Sequence, residues 1–218
     1  MSESYLPVEQ IAPNQLNAKI FEVTQSVMNA PVQRPFRLVS PGQSPEAPQM
    51  EEFVSERLGG RYVAVHSDDP IAYKHAVLTE EGLPVLSSLY TENNLLLMHV
   101  PAGARPLASF ANSIRRNPAV FAPVFQEVGE TMGHIEQYGH GSLEPMPDYQ
   151  VLDQFALVTD TSQARGGQVY MIPPYNFGEL EKEEVLSVLG EELMATNVVL
   201  PEQAEYLIDQ VREGWRDV

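Results

Sequence analysis

Two kinds of hydrophobic spacing occur along the chain, and together they predict an α+β protein. In residues 119–138 apolar side chains recur at three- and four-residue steps, as on one face of an α-helix: Val120, Val124, Val128, Met132 and Ile135. Short apolar runs bounded by turn residues, such as YVAV at residues 62–65 after Gly59-Gly60, are typical of strands. The strands concentrate in the front half and the helices in the back half, which is the arrangement of an α+β chain.

The order of the predicted elements divides the chain into two lobes preceded by an extension. Residues 1–34 form an N-terminal helical extension, in which Asn14 caps a helix that runs to Asn29. Residues 35–101 form a strand-rich lobe, and residues 102–218 form a helical lobe. The predicted strands are Phe36–Val39, Tyr62–Val65, Val85–Tyr90, Leu95–Val100 and a pair between Tyr149 and Asp160, and the other predicted helices are Asp68–Gly82, Ala119–Tyr138, Gly178–Ala195 and Pro201–Trp215.

The chain is strongly acidic, with 13 Lys and Arg against 30 Asp and Glu in 218 residues and a formal net charge of −17. Such a surface repels nucleic-acid phosphates and anionic lipid, so neither nucleic acid nor a membrane is expected as a partner. A basic partner protein or a cationic small molecule is electrostatically favoured, and the same charge also serves solubility.

Cysteine is absent from the sequence, which excludes disulfides, cysteine nucleophiles and thiolate metal sites. The first residues, MSESYLPVEQ, lack the basic and apolar regions of a signal peptide. No apolar run approaches the roughly 20 residues that cross a bilayer. A soluble, cytoplasmic protein is therefore expected.

Residues with catalytic potential concentrate in residues 133–160. His134 and His140 lie six apart at the end of a predicted helix, and Ser142 follows after one glycine. Asp160 closes a short apolar strand. Because the two imidazoles do not share a helical face, the spacing does not favour a zinc site.

Four stretches of the chain resemble the protein-kinase-like fold, in particular the branch of aminoglycoside and choline phosphotransferases. YVAVH at residues 62–66 resembles the strand that carries the nucleotide-binding lysine, and LLLMHVPAGARPL at residues 95–107 resembles the last small-lobe strand and the hinge. GHIEQYGHGSL at residues 133–143 resembles the family's "LH, five residues, HGDL" stretch, and Asp160 with Thr161 resembles its "DFG" element. The resemblance implies a two-lobed protein-kinase-like fold with ATP and Mg²⁺ as cofactors.

Most positions that carry the family's chemistry are altered in this chain. His66 stands at the position of the lysine, Ser142 at that of the catalytic Asp and Pro147 at that of a metal-binding Asn, while Asp160 retains the second metal position. An imidazole is a poor substitute for an ammonium, and a serine is a poor general base. The residues that the resemblance places along the adenine pocket are Met98, His99 and Val100.

Three functions remain open on this basis. The favoured one is a degenerate kinase-like protein, or pseudokinase, that acts as a binding or regulatory module. The alternative is an atypical ATP-dependent phosphotransferase for a small hydroxyl- or amine-bearing molecule. In it, Asp148 or Glu144 would replace the missing residues and share a divalent cation with Asp160 through oxygen ligands. The third is an unrelated acidic interaction protein that docks through Trp215 and the N-terminal helix.

Overall fold

The computed structural model describes residues 49–55, 60–66, 71–92, 95–145, 150–159, 167–173, 175–195, 199–216 and 218. These residues form nine β-strands and five α-helices, which confirms the predicted α+β class. The predicted helix at residues 14–29 and the predicted strand at residues 36–39 lie outside them. The chain divides into two compact units. The first takes its described residues from 49–73 and 86–102, and the second from 74–85 and 103–218.

A four-stranded antiparallel sheet characterises the first unit. Its strands are β1 (Gln49–Ser55), β2 (Gly60–His66), β3 (Ser88–Glu92) and β4 (Leu95–Val100), in the spatial order β1-β2-β4-β3. Strand β2 and the antiparallel pair of β3 with β4 confirm the strands predicted there. The hydrophobic pattern does not predict β1, because its sequence QMEEFVS has no regular alternation of apolar and polar residues.

Helix α1 (Ile71–Glu80) confirms the helix predicted from the Asp-Pro start signal. Ile71, His75 and Leu78 recur at helical steps and are each at most 1% exposed. The turn after the helix contains Gly82 with a φ of +78°, a conformation that glycine adopts without strain. The helix therefore buries a histidine on its apolar face.

Among its described residues the second unit contains residues 74–80 of α1 and four complete helices. They are α2 (Ala111–Arg116), α3 (Pro118–Gln137), α4 (Lys182–Ala195) and α5 (Pro201–Arg216). Proline at the first position of α3 and α5 is favourable because that residue has no intrahelical N–H partner to lose. Helix α4 begins later than the predicted start at Gly178, because Gly178 belongs to a strand. In the part of the chain that the structure describes, no helix has the length and apolar character needed to cross a membrane.

Helices α3 and α5 cross with their backbones in contact. A Cβ atom at Gly129 of α3 would overlap the carbonyl oxygen of Val211, and one at Gly214 of α5 would overlap the carbonyl oxygen of Gln126. Because both overlaps involve backbone atoms, only glycine permits this approach. The crossing thus depends on one glycine from each helix.

Trp215 of α5 lies in the same packing and is only 5% exposed. Its Nε1–H donates to the carboxylate of Glu136 on α3 at 2.7 Å. The Nζ atom of Lys182 on α4 lies 4.8 Å from the centre of the indole ring, within cation–π range. Trp215 is therefore a core residue that links three helices, and it is not the exposed docking residue that the third hypothesis requires.

Two small sheets complete the second unit. Strands β5 (Ala104–Pro106), β7 (Phe155–Val158) and β8 (Gln168–Met171) form an antiparallel sheet in the order β5-β7-β8, and β6 (Ser142–Leu143) pairs with β9 (Phe177–Gly178). The predicted strand pair between Tyr149 and Asp160 is wrong. Among the described residues of that interval, a 3-10 turn (Val151–Gln154) precedes a single strand, β7. The apolar residues of the turn, Val151 and Leu152, are buried.

Candidate functional site

The residues matched to a nucleotide pocket lie on neighbouring strands of the first unit. His66 ends β2, where its backbone pairs with the first residue of β4. Met98 and Val100 on β4 are each 1% exposed and belong to the core. His99 is half-buried, with its ring centre 5.5 Å from that of Tyr62, and burial lowers its pKa. Of the three matched residues on β4, only His99 has a partly exposed side chain.

In the second unit, Ser142 lies in the short pairing of β6 with β9, called the β6–β9 junction from here on. Ser142 is opposite Gly178 and is 6% exposed, and its hydroxyl donates to the Gly178 carbonyl at 3.4 Å. The preceding residue, Gly141, has a φ of +87°, and a Cβ atom there would overlap the same carbonyl oxygen. The serine matched to the catalytic Asp therefore binds the backbone of the opposite strand.

Glu144 follows β6, and its carboxylate is also bound to backbone. Its Oε1 atom accepts the N–H of Leu180 at 2.9 Å, just before α4. The carboxylate lies directly over Gly178, where a Cβ atom would overlap it. The N–H of Glu144 donates to the carbonyl of Asn176 at 2.9 Å, which extends the strand pairing by one residue. Glu144 thus holds the segment that leads into α4.

Gln154 is fully buried and connects the same segments through its amide. Its Nε2 atom donates to the carbonyl of Glu144 at 2.7 Å, and its Oε1 atom accepts the N–H of Asn176 at 2.9 Å. The side-chain amide of Asn176 donates to the carbonyls of Glu144 and Pro145 at 3.2 and 3.3 Å. Buried polar networks with satisfied partners fix the position of the backbone around them.

The position of Glu144 can be tested from the opposite strand. In Gly178→Ala the new methyl group displaces the Glu144 carboxylate, so the hydrogen bond to Leu180 is lost. We expect the free energy of unfolding to fall by roughly 1–2 kcal/mol, measured by urea denaturation. Glu144→Ala removes the same bond and makes room for the methyl group. The double variant should therefore lose less free energy of unfolding than the two single variants lose together. Additive losses would contradict the contact between Gly178 and the Glu144 carboxylate.

Two of the candidate catalytic and metal-binding residues, Asp148 and Asp160, lie outside the described residues, as does Pro147. Asp160 belongs to the segment between β7 and β8, whose adjoining ends pair Val158 with Gln168. Among the described residues, no group of three or more His, Asp or Glu side chains is placed to hold a metal ion. Of the three candidate carboxylates, Glu144 alone therefore has described surroundings.

The two histidines of the motif contact different neighbours. His140 Nε2 lies 2.6 Å from the carboxylate of Glu81, and the ring stacks on Phe177 with 5.4 Å between ring centres. His134 stacks on Tyr138, and its Nδ1 atom has no hydrogen-bond partner among the described residues. His140 thereby connects the β6–β9 junction to the turn that follows α1.

Sequence reasoning misses a buried carboxylate on α4. Glu192 is 7% exposed and accepts the backbone N–H groups of Val151 and Leu152 at 2.7 and 3.1 Å. Burial raises its pKa to about 7, although the two hydrogen bonds act in the opposite direction. A signal was present, because Glu192 follows Leu189 by three residues and so falls on the apolar face of the helix. Glu192 connects α4 to the turn before β7.

A buried pair formed by His75 and Tyr175 is also missed. His75 Nδ1 lies 2.8 Å from the Tyr175 hydroxyl, and the two residues are 1% and 0% exposed. Burial lowers the pKa of His75 to about 4 and raises that of Tyr175, so both are uncharged at neutral pH. The signal was a histidine four residues after Ile71 on the apolar face of α1. Tyr175 also has a φ of +53°, which is uncommon outside glycine.

No protein-family model matches this chain, and no curated protein is significantly similar to it.

Proposed function

We propose that the chain is a kinase-like binding or regulatory module with a degenerate nucleotide site, rather than an active phosphotransferase. One observation carries this proposal: the side chains at and beside the matched catalytic position are bound to backbone. The Ser142 hydroxyl donates to Gly178, and the Glu144 carboxylate accepts from Leu180. A general base must come within about 2.6–3.2 Å of the hydroxyl that it activates. Ser142 and Glu144 instead hydrogen-bond to the backbone at and beside the β6–β9 junction, which supports a structural role for both.

Electrostatics favour the same proposal. Phosphoryl transfer requires positive charge around the triphosphate, supplied by a lysine and by metal ions. His66 stands at the lysine position, and an imidazole is a poor substitute for an ammonium. On the neighbouring strand, burial lowers the pKa of His99 and so disfavours its charged form. The net charge of −17 further disfavours a polyanionic ligand. A basic protein remains the electrostatically favoured partner.

The kinase-like fold is itself part of the proposal. The strand-rich unit would correspond to the small lobe and the helical unit to the large lobe. The order of β2, α1, β3 and β4, followed by α3 and β6, is the order that the resemblance implies.

A transfer assay tests the proposal directly. Wild type, Asp160→Ala and Glu144→Gln are incubated with radiolabelled ATP, Mg²⁺ or Mn²⁺, and small acceptors that bear hydroxyl or amine groups. We expect all three proteins to show the same background turnover. Glu144→Gln is the matched control for structure, because its amide oxygen can still accept the Leu180 N–H while the carboxylate is removed. Metal-dependent turnover that disappears in Asp160→Ala would overturn the proposal in favour of the atypical phosphotransferase.

Thermal-shift titration with ATP, with and without Mg²⁺, extends the same test to binding. A ligand at a hundredfold excess over its Kd stabilises the folded state by about 2.7 kcal/mol, which is readily detected. We expect no metal-dependent shift. A metal-dependent shift that is lost in Asp160→Ala would show that the nucleotide site is intact and would contradict its assignment as degenerate.

A further inference from the structure

An open groove of ≈ 380 Å³ runs between α4 and α5. Each helix contributes a stripe of lining residues at three- and four-residue steps. The stripe on α4 runs from Glu183 to Met194 and is about 16 Å long, at 1.5 Å per residue. The groove involves none of the residues of the β6–β9 junction. Its apolar lining consists of Leu186, Gly190 and Met194 from α4 and Pro201, Ala204 and Ile208 from α5.

Two exposed large apolar side chains lie at one end of this groove, where α4 ends and α5 begins. Met194 in its wall is 41% exposed, and Leu200 at the start of α5 is 59% exposed. Gly190 widens the groove, because it contributes no side chain where the helix faces Ile208. The floor of the groove is closely packed, because Leu186 and Ala204 are each 2% exposed and Ile208 is 9% exposed, so the accessible apolar surface lies mainly at the Met194 and Pro201 end.

The rim of the groove is acidic. Glu183 is paired with Arg212 at 3.1 Å, so these two charges offset each other. Glu191 and Glu205 are exposed, lie on opposite sides of the groove, and have no hydrogen-bond or ion-pair partner among the described residues. Two uncompensated carboxylates flanking an apolar floor attract a cationic, amphipathic ligand.

We propose that this groove binds a basic amphipathic helix of a partner protein. Apolar side chains at three- and four-residue steps on the partner would enter between Met194 and Ile208, and lysine or arginine beside them would pair with Glu191 and Glu205. The length of the groove matches about three helical turns, which suits the helix-in-groove mode of recognition. The inference goes beyond the proposed function, because it requires neither a kinase-like fold nor a nucleotide site.

The first test uses charge. A synthetic helical peptide with a leucine stripe flanked by lysines is titrated into the full chain and followed by fluorescence anisotropy, beside a counterpart with glutamate in place of lysine. We expect the basic peptide alone to bind, with an affinity that falls as salt rises. Glu191→Lys with Glu205→Lys should weaken binding by about tenfold or more. The matched control, Glu80→Lys with Glu213→Lys, makes the same change in net charge at exposed positions outside the groove and should leave the Kd unchanged.

The second test uses shape at Gly190. Gly190→Phe fills the groove with a ring and should abolish detectable binding, whereas Gly190→Ala adds one methyl group and should change the Kd by no more than about twofold. Thermal unfolding of both variants verifies that they fold.

Three results would overturn the proposal. The first is failure of the basic peptide to bind, or equal binding of both peptides. The second is equal binding to wild type, Gly190→Phe and the double charge reversal. The third is a wild-type dimer, detected by sedimentation, that dissociates in Gly190→Phe, because that result would assign the groove to a second copy of the chain.

Discussion

Gly214→Ala is expected to lower the free energy of unfolding by roughly 3 kcal/mol or more, measured by urea denaturation. The added Cβ atom overlaps the backbone carbonyl of Gln126, which cannot rotate away as a side chain can. Helices α3 and α5 must separate to accommodate it, and their shared packing is lost. This cost exceeds the gain of about 1 kcal/mol that alanine normally brings to a helix interior. Trp215, the only tryptophan, lies beside this contact and reports unfolding by fluorescence.

Gly190→Ala is the matched control for this prediction. It makes the same change inside α4, but there the Cβ atom would lie 3.8 Å from the Cγ1 atom of Ile208, an ordinary van der Waals distance. We expect it to raise the free energy of unfolding by about 0.5–1 kcal/mol. Stabilisation by both substitutions would contradict the backbone contact between α3 and α5.

The second large effect is a dependence of stability on pH that comes from His75. Its pKa is lowered from 6.5 to about 4 in the folded protein, so between these values the unfolded chain binds more protons. The contribution of His75 to the free energy of unfolding is therefore fully present above pH 6.5 and is lost as the pH falls toward 4. At about 1.4 kcal/mol per pKa unit, the loss approaches roughly 3 kcal/mol. On going from pH 7 to pH 4 in urea denaturation, the free energy of unfolding of His75→Asn should therefore rise relative to that of wild type by this amount, and parallel profiles for variant and wild type would contradict the prediction.

Glu192 provides a contribution of the opposite sign. Its pKa is raised from 4.5 to about 7, so between these values the folded protein binds more protons. The contribution of Glu192 to the free energy of unfolding is therefore fully present below pH 4.5 and is lost as the pH rises toward 7. Glu192→Gln should remove this loss, and its profile should diverge from that of wild type in the opposite direction to that of His75→Asn.

The two windows overlap between pH 4.5 and 6.5, where the contributions of His75 and Glu192 largely cancel. Wild type should therefore show little net dependence on pH from these two groups in that range. The dependence becomes visible only when one of the two groups is replaced. This cancellation is identified if the free energy of unfolding changes with pH in both His75→Asn and Glu192→Gln, with slopes of opposite sign.

Local hydrophobic spacing predicts the elements whose stability depends on a continuous apolar face. Helices α3 and α5 and strand β2 lie close to their expected positions, because each buries a stripe that is visible in its own sequence. The class of the fold follows from their order.

The candidate site could be predicted only in part, because its contacts join distant parts of the chain. Strands β6 and β9 are two residues each and exist through the pairing of Ser142 with Gly178, which no local pattern contains. Likewise, nothing near Glu144 in sequence shows that its carboxylate accepts the Leu180 N–H. The roles assigned to Asp148 and Asp160 remain predictions, because both residues lie outside the described part of the chain.

The glycine-mediated crossing of α3 and α5 has a kinetic consequence for the groove on another face of α5. Gly214 fixes α5 against α3 through backbone contact, so the groove wall that carries Ala204 and Ile208 is already in place before a partner arrives. A preformed wall requires no closure step, and little conformational entropy is lost when it is occupied. Association should then occur in one phase, with an observed rate that rises linearly with peptide concentration.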